Sequence, residues 1–242
     1  MHGTETAART PTLARNDPRQ YDDLVGAWWE PHGPFAMLHA LAAARGAVVP
    51  ASTTVGAVLV DLACGGGILA PFVQSKGYRH VGVDLTLSAL RAALPHGVGA
   101  VQADVAALPL PNGCAEVVVL GEILEHVSDH ERVVAEACRI LRPGGTLVLD
   151  TIADTRLARL LAVEIGERVR GVPKGIHDPA LFVNRRDLLR NCARYGVPLR
   201  LRGLRPTFGS ITSAFSREGP TVRVVPTRST AVLFQGIGVK TP

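Results

Sequence analysis

Gly121-Glu122-Ile123-Leu124-Glu125-His126 carries two carboxylates three residues apart, with an imidazole beside the second. If the segment coils as one helical turn, these groups face one point, and such hard oxygen and nitrogen donors suit a divalent cation. An imidazole titrates near neutrality, so His126 beside Glu125 is equally a candidate general base. In an arbitrary loop the same residues would read as two solvated acids and a satisfied histidine. Here they follow the apolar run Val117–Leu120, and strand ends of this kind are where open α/β sheets bind ligands.

Three further constellations accompany them. In Asp61-Leu62-Ala63-Cys64-Gly65-Gly66-Gly67 an acid ends an apolar strand and a glycine-rich turn opens a helix, the first βα unit of a nucleotide-binding sheet. Asp84 closes the next strand, where a carboxylate accepts both hydroxyl hydrogens of a ribose. Asp104 follows the third strand and is placed to take an exocyclic adenine amine, with Leu85 and Val105 on the two ring faces. The spacing G-x-G-x-x-G is absent, which argues for a cofactor carrying an adenosine without a pyrophosphate. Pro173-Lys174-Gly175-Ile176-His177-Asp178 is a polar turn. Its His177-Asp178 reads as a helix cap, or as a completion of the metal shell if it folds over the strand ends.

The elements that must position these groups alternate regularly. Strands are expected over Val55–Asp61, His80–Val83, Val98–Gln102, Glu116–Leu120 and Thr146–Asp150. Helices are expected at Phe35–Arg45, Ile68–Lys76 (stopped by Gly77) and from the capping box Ser128-Asp129-His130-Glu131 to Leu141. That order builds a parallel sheet with crossover helices. Val197–Leu204 and Ser229–Gly238 supply a last antiparallel hairpin. Trp28 and Trp29 sit in a turn before the first helix, either as packing onto the sheet or as a wall over a flat ligand.

With 242 residues and 47% hydrophobic content, the chain suits one globular domain, 19–242, behind a frayed tail over 1–18. A net charge of +5 permits an acidic partner such as anionic lipid without demanding nucleic acid. The four scattered cysteines and the lack of a signal peptide or transmembrane run suggest a reduced, cytoplasmic protein. The arginines between Arg185 and Arg205 read as a solvated face.

These residues resemble a family, the class I S-adenosylmethionine methyltransferases, and within it the ubiquinone-biosynthesis O-methyltransferases. The resemblance rests on Trp28-Trp29-x-Pro-x-Gly-Pro-Phe-x-x-Leu-His with Arg45, on Asp61-x-x-Cys-Gly-Gly-Gly-Ile-Leu-Ala and on Gly-x-Asp84. It continues through Glu122-x-x-Glu125-His126-Val, Pro143-Gly-Gly and Pro173-Lys-Gly-x-His177-Asp178. It implies an α/β, Rossmann-like, seven-stranded and mostly parallel sheet with helices on both faces, an antiparallel last hairpin, an N-terminal helical cap and a helical lid inserted after strand five. It also implies S-adenosyl-L-methionine as cofactor. Arg45 would hold the methionine carboxylate, Asp61, Ala63, Gly65 and Gly67 the loop, Asp84 the ribose, and Gly121 a backbone contact near the sulfonium. A similar Glu-x-x-Glu-His in small-RNA 2′-O-methyltransferases binds a metal, which adds weight to a site of Glu122, Glu125, His126 and His177 for Mg or a similar divalent cation. Ala63 replaces the usual first glycine, and the chain after Asn191 matches poorly.

The lid, about 155–178, repeats Leu157, Leu161, Ile165 and Val169 every fourth residue, with Arg156, Arg159 and Arg170 toward the other side. It reads either as a peripheral contact with anionic membrane at its inner face or as a helix capping the pocket; Glu164 and Glu167 weaken the lipid reading. The expected reaction is methyl transfer to a phenolic or catechol hydroxyl, including that of a polyprenylated quinone precursor, with metal assistance. The competing readings are a methyltransferase of a soluble secondary metabolite and a non-catalytic binding protein of the same fold. Neither nucleic acid nor a particular oligomeric state is implied.

Overall fold

The computed structural model describes residues 14–30, 32–166, 175–213 and 222–242. The fold is an eight-stranded sheet in the order β3-β2-β1-β4-β5-β8-β6-β7. Strands β1 (Val58–Leu62), β2 (Arg79–Asp84), β3 (Gly99–Gln102), β4 (Ala115–Gly121) and β5 (Leu141–Ile152) run parallel. Strand β8 (Leu233–Val239) pairs antiparallel with β5 and with β6 (Leu199–Pro206), and β7 (Val224–Thr227) adds an antiparallel edge to β6. The seven strands expected thus become eight: β7 is the addition, and its Pro226, which cannot donate to a ladder, is tolerated because it lies on an edge strand.

Apolar runs set the central strands. Every residue of β4 but Gly121 is buried, as a strand covered on both faces requires. One side of the sheet packs on α4 (His130–Ile140) and α6 (Arg185–Arg194), placing Val133, Val134, Ala137, Leu188 and Cys192 against Val118, Leu120, Leu147 and Leu149. The other side packs Leu69 and Val73 of the α2 region (Ala70–Val73) onto Leu59, Val117, Val119 and Val148.

Several boundaries differ from the sequence reading. The first strand starts at Val58, because Val55 stands wholly exposed in a turn. The helix expected over Ile68–Lys76 is α2 followed by a 3₁₀ turn, closed by Gly77 at φ +82° as foreseen. The N-cap of α4 is Asp129, which accepts from Arg132 N at 2.9 Å; Ser128 caps nothing, and Glu131 turns to Arg194 instead of closing a capping box. Helix α6 falls where only an arginine-rich face was expected, capped by Asn184 on Arg186 N and Asp187 N. Several of those arginines are engaged: Arg185 bonds Thr230, Arg190 pairs Asp187, Arg194 pairs Glu131 and Arg202 bonds Gln235.

The lid begins as α5 (Arg156–Ala158) and continues as a π-helical turn through Ile165. Ala158 and Val163 are its inward residues, packed with Ile152 and Phe182, while Leu157, Leu160, Leu161 and Ile165 face solvent. Its leucine ridge therefore does not cap the core. Val169, Arg170 and Glu167, with Pro173 and Lys174 of the polar turn, lie outside the described residues, as does the tail over 1–13. Residues 14–18, expected to fray with that tail, are instead tied down: Asn16 N donates to Gly175 O at 2.8 Å and Arg15 Nη1 to His177 O at 2.8 Å.

Candidate active site

The parallel register brings the expected residues to one edge of the sheet. Asp61↔Gly82, Asp84↔Gln102 and Gly121↔Asp150 are neighbours across successive strands, so the acids at the strand ends stand in a row. After β1 the chain must reverse at once. Ala63 (φ +55°), Gly65 (φ +53°) and Gly67 (φ +77°) all take the left-handed region to do so. Glycine is at ease there, whereas alanine costs about 1–2 kcal/mol. The exchange at Ala63 is thus one of backbone strain.

The glycines serve a second purpose that spacing did not reveal. Trp28 is buried against the turn, and a Cβ built on Gly65 or Gly66 would stand 2.6 Å from its ring atoms. Trp28 stacks on Phe35 with centroids 4.1 Å apart, and Trp29 stacks on His96 at 3.5 Å while donating Nε1 to Gly66 O at 3.1 Å. The tryptophan pair thereby locks the 3₁₀ segment Pro18–Ala27 over the loop.

Asp84 Oδ2 accepts from Gly65 N at 2.9 Å and Oδ1 from Thr86 N at 2.8 Å. Burial raises its pKa against these two amide bonds. With the Thr86 side chain as a third partner, the carboxylate is aimed and keeps acceptor capacity for a hydroxyl donor. Leu85 is exposed and Val105 buried on the same rim, and Asp104 Oδ1 accepts from Ala106 N at 2.8 Å. Asp61 is buried beside His80, with Nε2 to Oδ2 at 3.5 Å.

At the tip of β4 the arrangement is denser. Arg45, on the buried side of α1 (Ala36–Gly46), forms a two-pronged pair with Asp150: Nε to Oδ2 at 2.8 Å and Nη2 to Oδ1 at 2.7 Å. Its guanidinium lies flat on Gly121, where any Cβ would overlap it. This explains a glycine there without appeal to a ligand. Burial works against the Arg45 charge, but Asp150, with Asp61 and Glu122 behind it, outweighs burial and keeps it protonated. Asp150 is a site residue that the sequence reading missed. Its one signal was an acid at a strand end, like Asp84.

Glu122 (φ +51°) donates its amide to Asp150 O at 3.1 Å. Burial, then Glu125 and Asp150, push its carboxyl well above the usual range. Glu125 is fully buried, accepts from Thr151 Oγ1 at 2.7 Å, and is pushed up to about 7 mainly by burial. One oxygen of each, Glu122 Oε1 and Glu125 Oε1, is buried without a hydrogen bond. Burial, then His177, lowers His126 to about 3, so its ring is neutral near pH 7. His126 and His177 stack with centroids 5.5 Å apart, so the polar turn does fold over the strand ends.

The four metal-donor candidates do not make one ligand set. Among the described residues no three histidine, cysteine or acidic side chains form a group able to hold a metal ion. Glu125 Oε2 accepts from Thr151, Glu122 lies beside the Arg45–Asp150 pair, and His126 Nδ1 lies 2.5 Å from Asn16 Oδ1. An open cavity of about 490 Å³ lies elsewhere, lined by Asp129, Glu131, Asn184 and Asp187, and includes none of the expected site residues.

Residues 60–149 match the family model described as a methyltransferase domain. The chain is 33% identical over 223 residues to the ubiquinone biosynthesis O-methyltransferase of Cupriavidus pinatubonensis, covering 87% of this chain and 89% of that one. It is 35% identical over 208 residues to the Ralstonia nicotianae enzyme of the same name, covering 81% and 87%. The chain belongs to the ubiquinone biosynthesis O-methyltransferase family. It is thus an S-adenosylmethionine-dependent O-methyltransferase. The fold of this methyltransferase is shared with an S-adenosylmethionine-dependent methyltransferase of Thermotoga maritima, with TM-score 0.65, 18% identity and coverage of 92% and 97%. No described helix of the methyltransferase is long and apolar enough to cross a membrane.

Proposed function

We propose that the chain methylates a phenolic hydroxyl of an aromatic quinone precursor and that His126 takes the proton released. S-adenosylmethionine, when bound, supplies an electrophilic methyl on a sulfonium. Asp84 would hold the ribose hydroxyls, Leu85 and Val105 the adenine faces, and Arg45, preset by Asp150, the methionine carboxylate. The orphaned oxygens Glu122 Oε1 and Glu125 Oε1 are the groups that a cationic ligand would satisfy. Most of the acceleration would come from alignment, on the order of 7–11 kcal/mol in effective concentration.

With the donor bound, the acceptor oxygen would take the methyl group, the carbon–sulfur bonding pair would stay with sulfur, and the phenolic proton would pass to His126. A phenol of pKa about 10 is protonated at neutral pH. Its proton becomes far more acidic as the new carbon–oxygen bond forms, so a neutral imidazole accepts it late in the step. What supports this reading is the placement of the His126 ring just past the tip of β4, with Nδ1 held 2.5 Å from Asn16 Oδ1 beside the strand-end carboxylates. The donor set does not fit a metal as it stands, and no step is drawn through one.

Turnover of a catechol panel with methyl-labelled S-adenosylmethionine tests the reading. Label should appear on a phenolic oxygen, His126→Gln should lower kcat by roughly 10²–10⁴-fold, and chelators should leave the rate unchanged. Label found only on nitrogen or carboxylate acceptors would reject the phenol, and loss of activity on chelation would reject metal-free proton transfer.

A further inference from the structure

We infer that the N-terminal strap Ala14–Trp29 is a gate on the donor site: it lifts to let S-adenosylmethionine in and S-adenosylhomocysteine out, and closes over the glycine loop between these events. This rests on the placement of the donor's amino-acid end at Arg45 and the glycine loop.

The donor site is open at one end and shut at the other. At the adenosine end Leu85 is 58% exposed, Asp84 is half-buried and Asp104 is exposed. At the amino-acid end the Arg45 side chain is 8% exposed and Asp61 is buried. Between them Trp28 roofs the loop, lying so close on Gly65 and Gly66 that a methyl group on either would stand 2.6 Å from its side chain. A donor that docks its adenosine at the open end still has to carry a charged amino-acid group in to Arg45. The roof must yield for that group to arrive.

The strap is the part of the roof able to yield. Its ten residues Pro18–Ala27 form a 3₁₀ helix, whereas such runs usually stop after about three or four residues because their hydrogen bonds are poorly aligned. Gly26, inside this run, has no atom within 4 Å of where a Cβ would stand, so neighbouring elements leave that turn room to move. The strap is fastened at its ends. At one end Trp28 stacks on Phe35, while Trp29 stacks on His96 and donates Nε1 to Gly66 O at 3.1 Å. At the other, Asn16 N donates to Gly175 O at 2.8 Å, Asn16 Nδ2 to His126 O at 2.9 Å and Arg15 Nη1 to His177 O at 2.8 Å. One segment thus fastens to the donor loop and to the turn that carries His177, and lifting it uncovers both sides of the site together. The same fastenings close over the empty and the filled site. Weakening one therefore speeds entry and exit alike and leaves affinity nearly unchanged, whereas a strap that merely props up the fold would act on release alone.

Trp28 and Trp29 are the protein's two tryptophans, so intrinsic fluorescence reports the strap. The test is stopped-flow fluorescence of the full chain mixed with S-adenosylhomocysteine, in the wild type, Trp29→Phe and Asp84→Asn. Phenylalanine keeps a ring against His96 and deletes the bond to Gly66 O. The wild-type signal should change on binding, with a rate that levels off at high ligand at the rate of strap opening. Trp29→Phe should raise that limit and the release rate together, each by roughly fivefold, the worth of one hydrogen bond, with Kd held within roughly twofold. Hydrogen exchange on the ligand-free wild type, which needs no variant, should show amides 16–29 exchanging faster than those of α1. A wild-type rate that stays linear in ligand, faster release by Trp29→Phe at an unchanged limiting rate, or strap amides as slow as those of α1 overturns the gate. Unchanged affinity in Asp84→Asn overturns the donor placement beneath it, and the exchange result then reports the strap by itself.

Discussion

Replacing Glu125 by glutamine keeps the shape of a fully buried side chain and deletes its proton equilibrium. Burial, together with Asp150, raises this acid to about 7 from the usual 4.5, while the Thr151 hydroxyl resists. Between those two values the native state binds the proton and the unfolded chain does not. The stabilising contribution of Glu125 is therefore whole below about 4.5 and is lost as pH rises through about 7. At about 1.4 kcal/mol per pH unit this amounts to ~3 kcal/mol. His126 runs the other way: its ring is lowered to about 3 from 6.5, so its contribution is whole above 6.5 and is lost as pH falls toward 3. That is at most ~5 kcal/mol, and less because the ring keeps some solvent contact. From pH 4.5 to 6.5 the two oppose one another, and the wild-type stability profile should be flatter than either alone. Glu125→Gln unmasks the histidine. Its stability should climb with pH through that window and exceed the wild type by ~2–3 kcal/mol near pH 8. Urea unfolding at a series of pH values reads this directly. Equal pH slopes for the two proteins would refute the account of a neutral, buried acid at the strand end.

Further outcomes follow from single contacts. Asp84→Asn should weaken S-adenosylmethionine binding by calorimetry roughly 10- to 100-fold, since charge-assisted bonds to the ribose are worth about 1.5–3 kcal/mol. Asp150→Ala leaves the buried Arg45 guanidinium without its counter-charge and should cost about 3–5 kcal/mol of stability by denaturant melting. Ala63→Gly relieves a left-handed alanine but loosens the unfolded chain, and should raise stability by about 1 kcal/mol or less.

The row of strand ends was legible because apolar runs closed by an acid or a glycine have few other readings: Asp61, Asp84 and Gly121 fall where the periodicity places them. What escaped has one character. Asp150 meets Arg45 across 105 residues of chain, and Asn16 meets His126 across 110, and no local pattern encodes either partner. The spacing of Glu122, Glu125 and His126 gives nearness along the chain. It does not say that Thr151, the Arg45–Asp150 pair and Asn16 would lie against those groups. Periodicity likewise found the leucine ridge of the lid but not its direction; Ala158 and Val163 take the inward positions. Strand β7 was hidden by its proline, and the N-cap of α4 was misplaced by one residue because Ser128 and Asp129 are both good caps.

The central claim is that donor-binding acids at the strand ends deliver a methyl group to a phenolic oxygen beside His126. The most direct measurement is single-turnover transfer from methyl-labelled S-adenosylmethionine to a catechol, comparing the wild type, Asp84→Asn and His126→Gln at saturating donor. The account predicts label on the phenolic oxygen, near wild-type transfer by Asp84→Asn once the donor saturates it, and a rate loss in His126→Gln that more donor does not rescue. Transfer at the wild-type rate by His126→Gln, or no label on oxygen from the wild type, would contradict it.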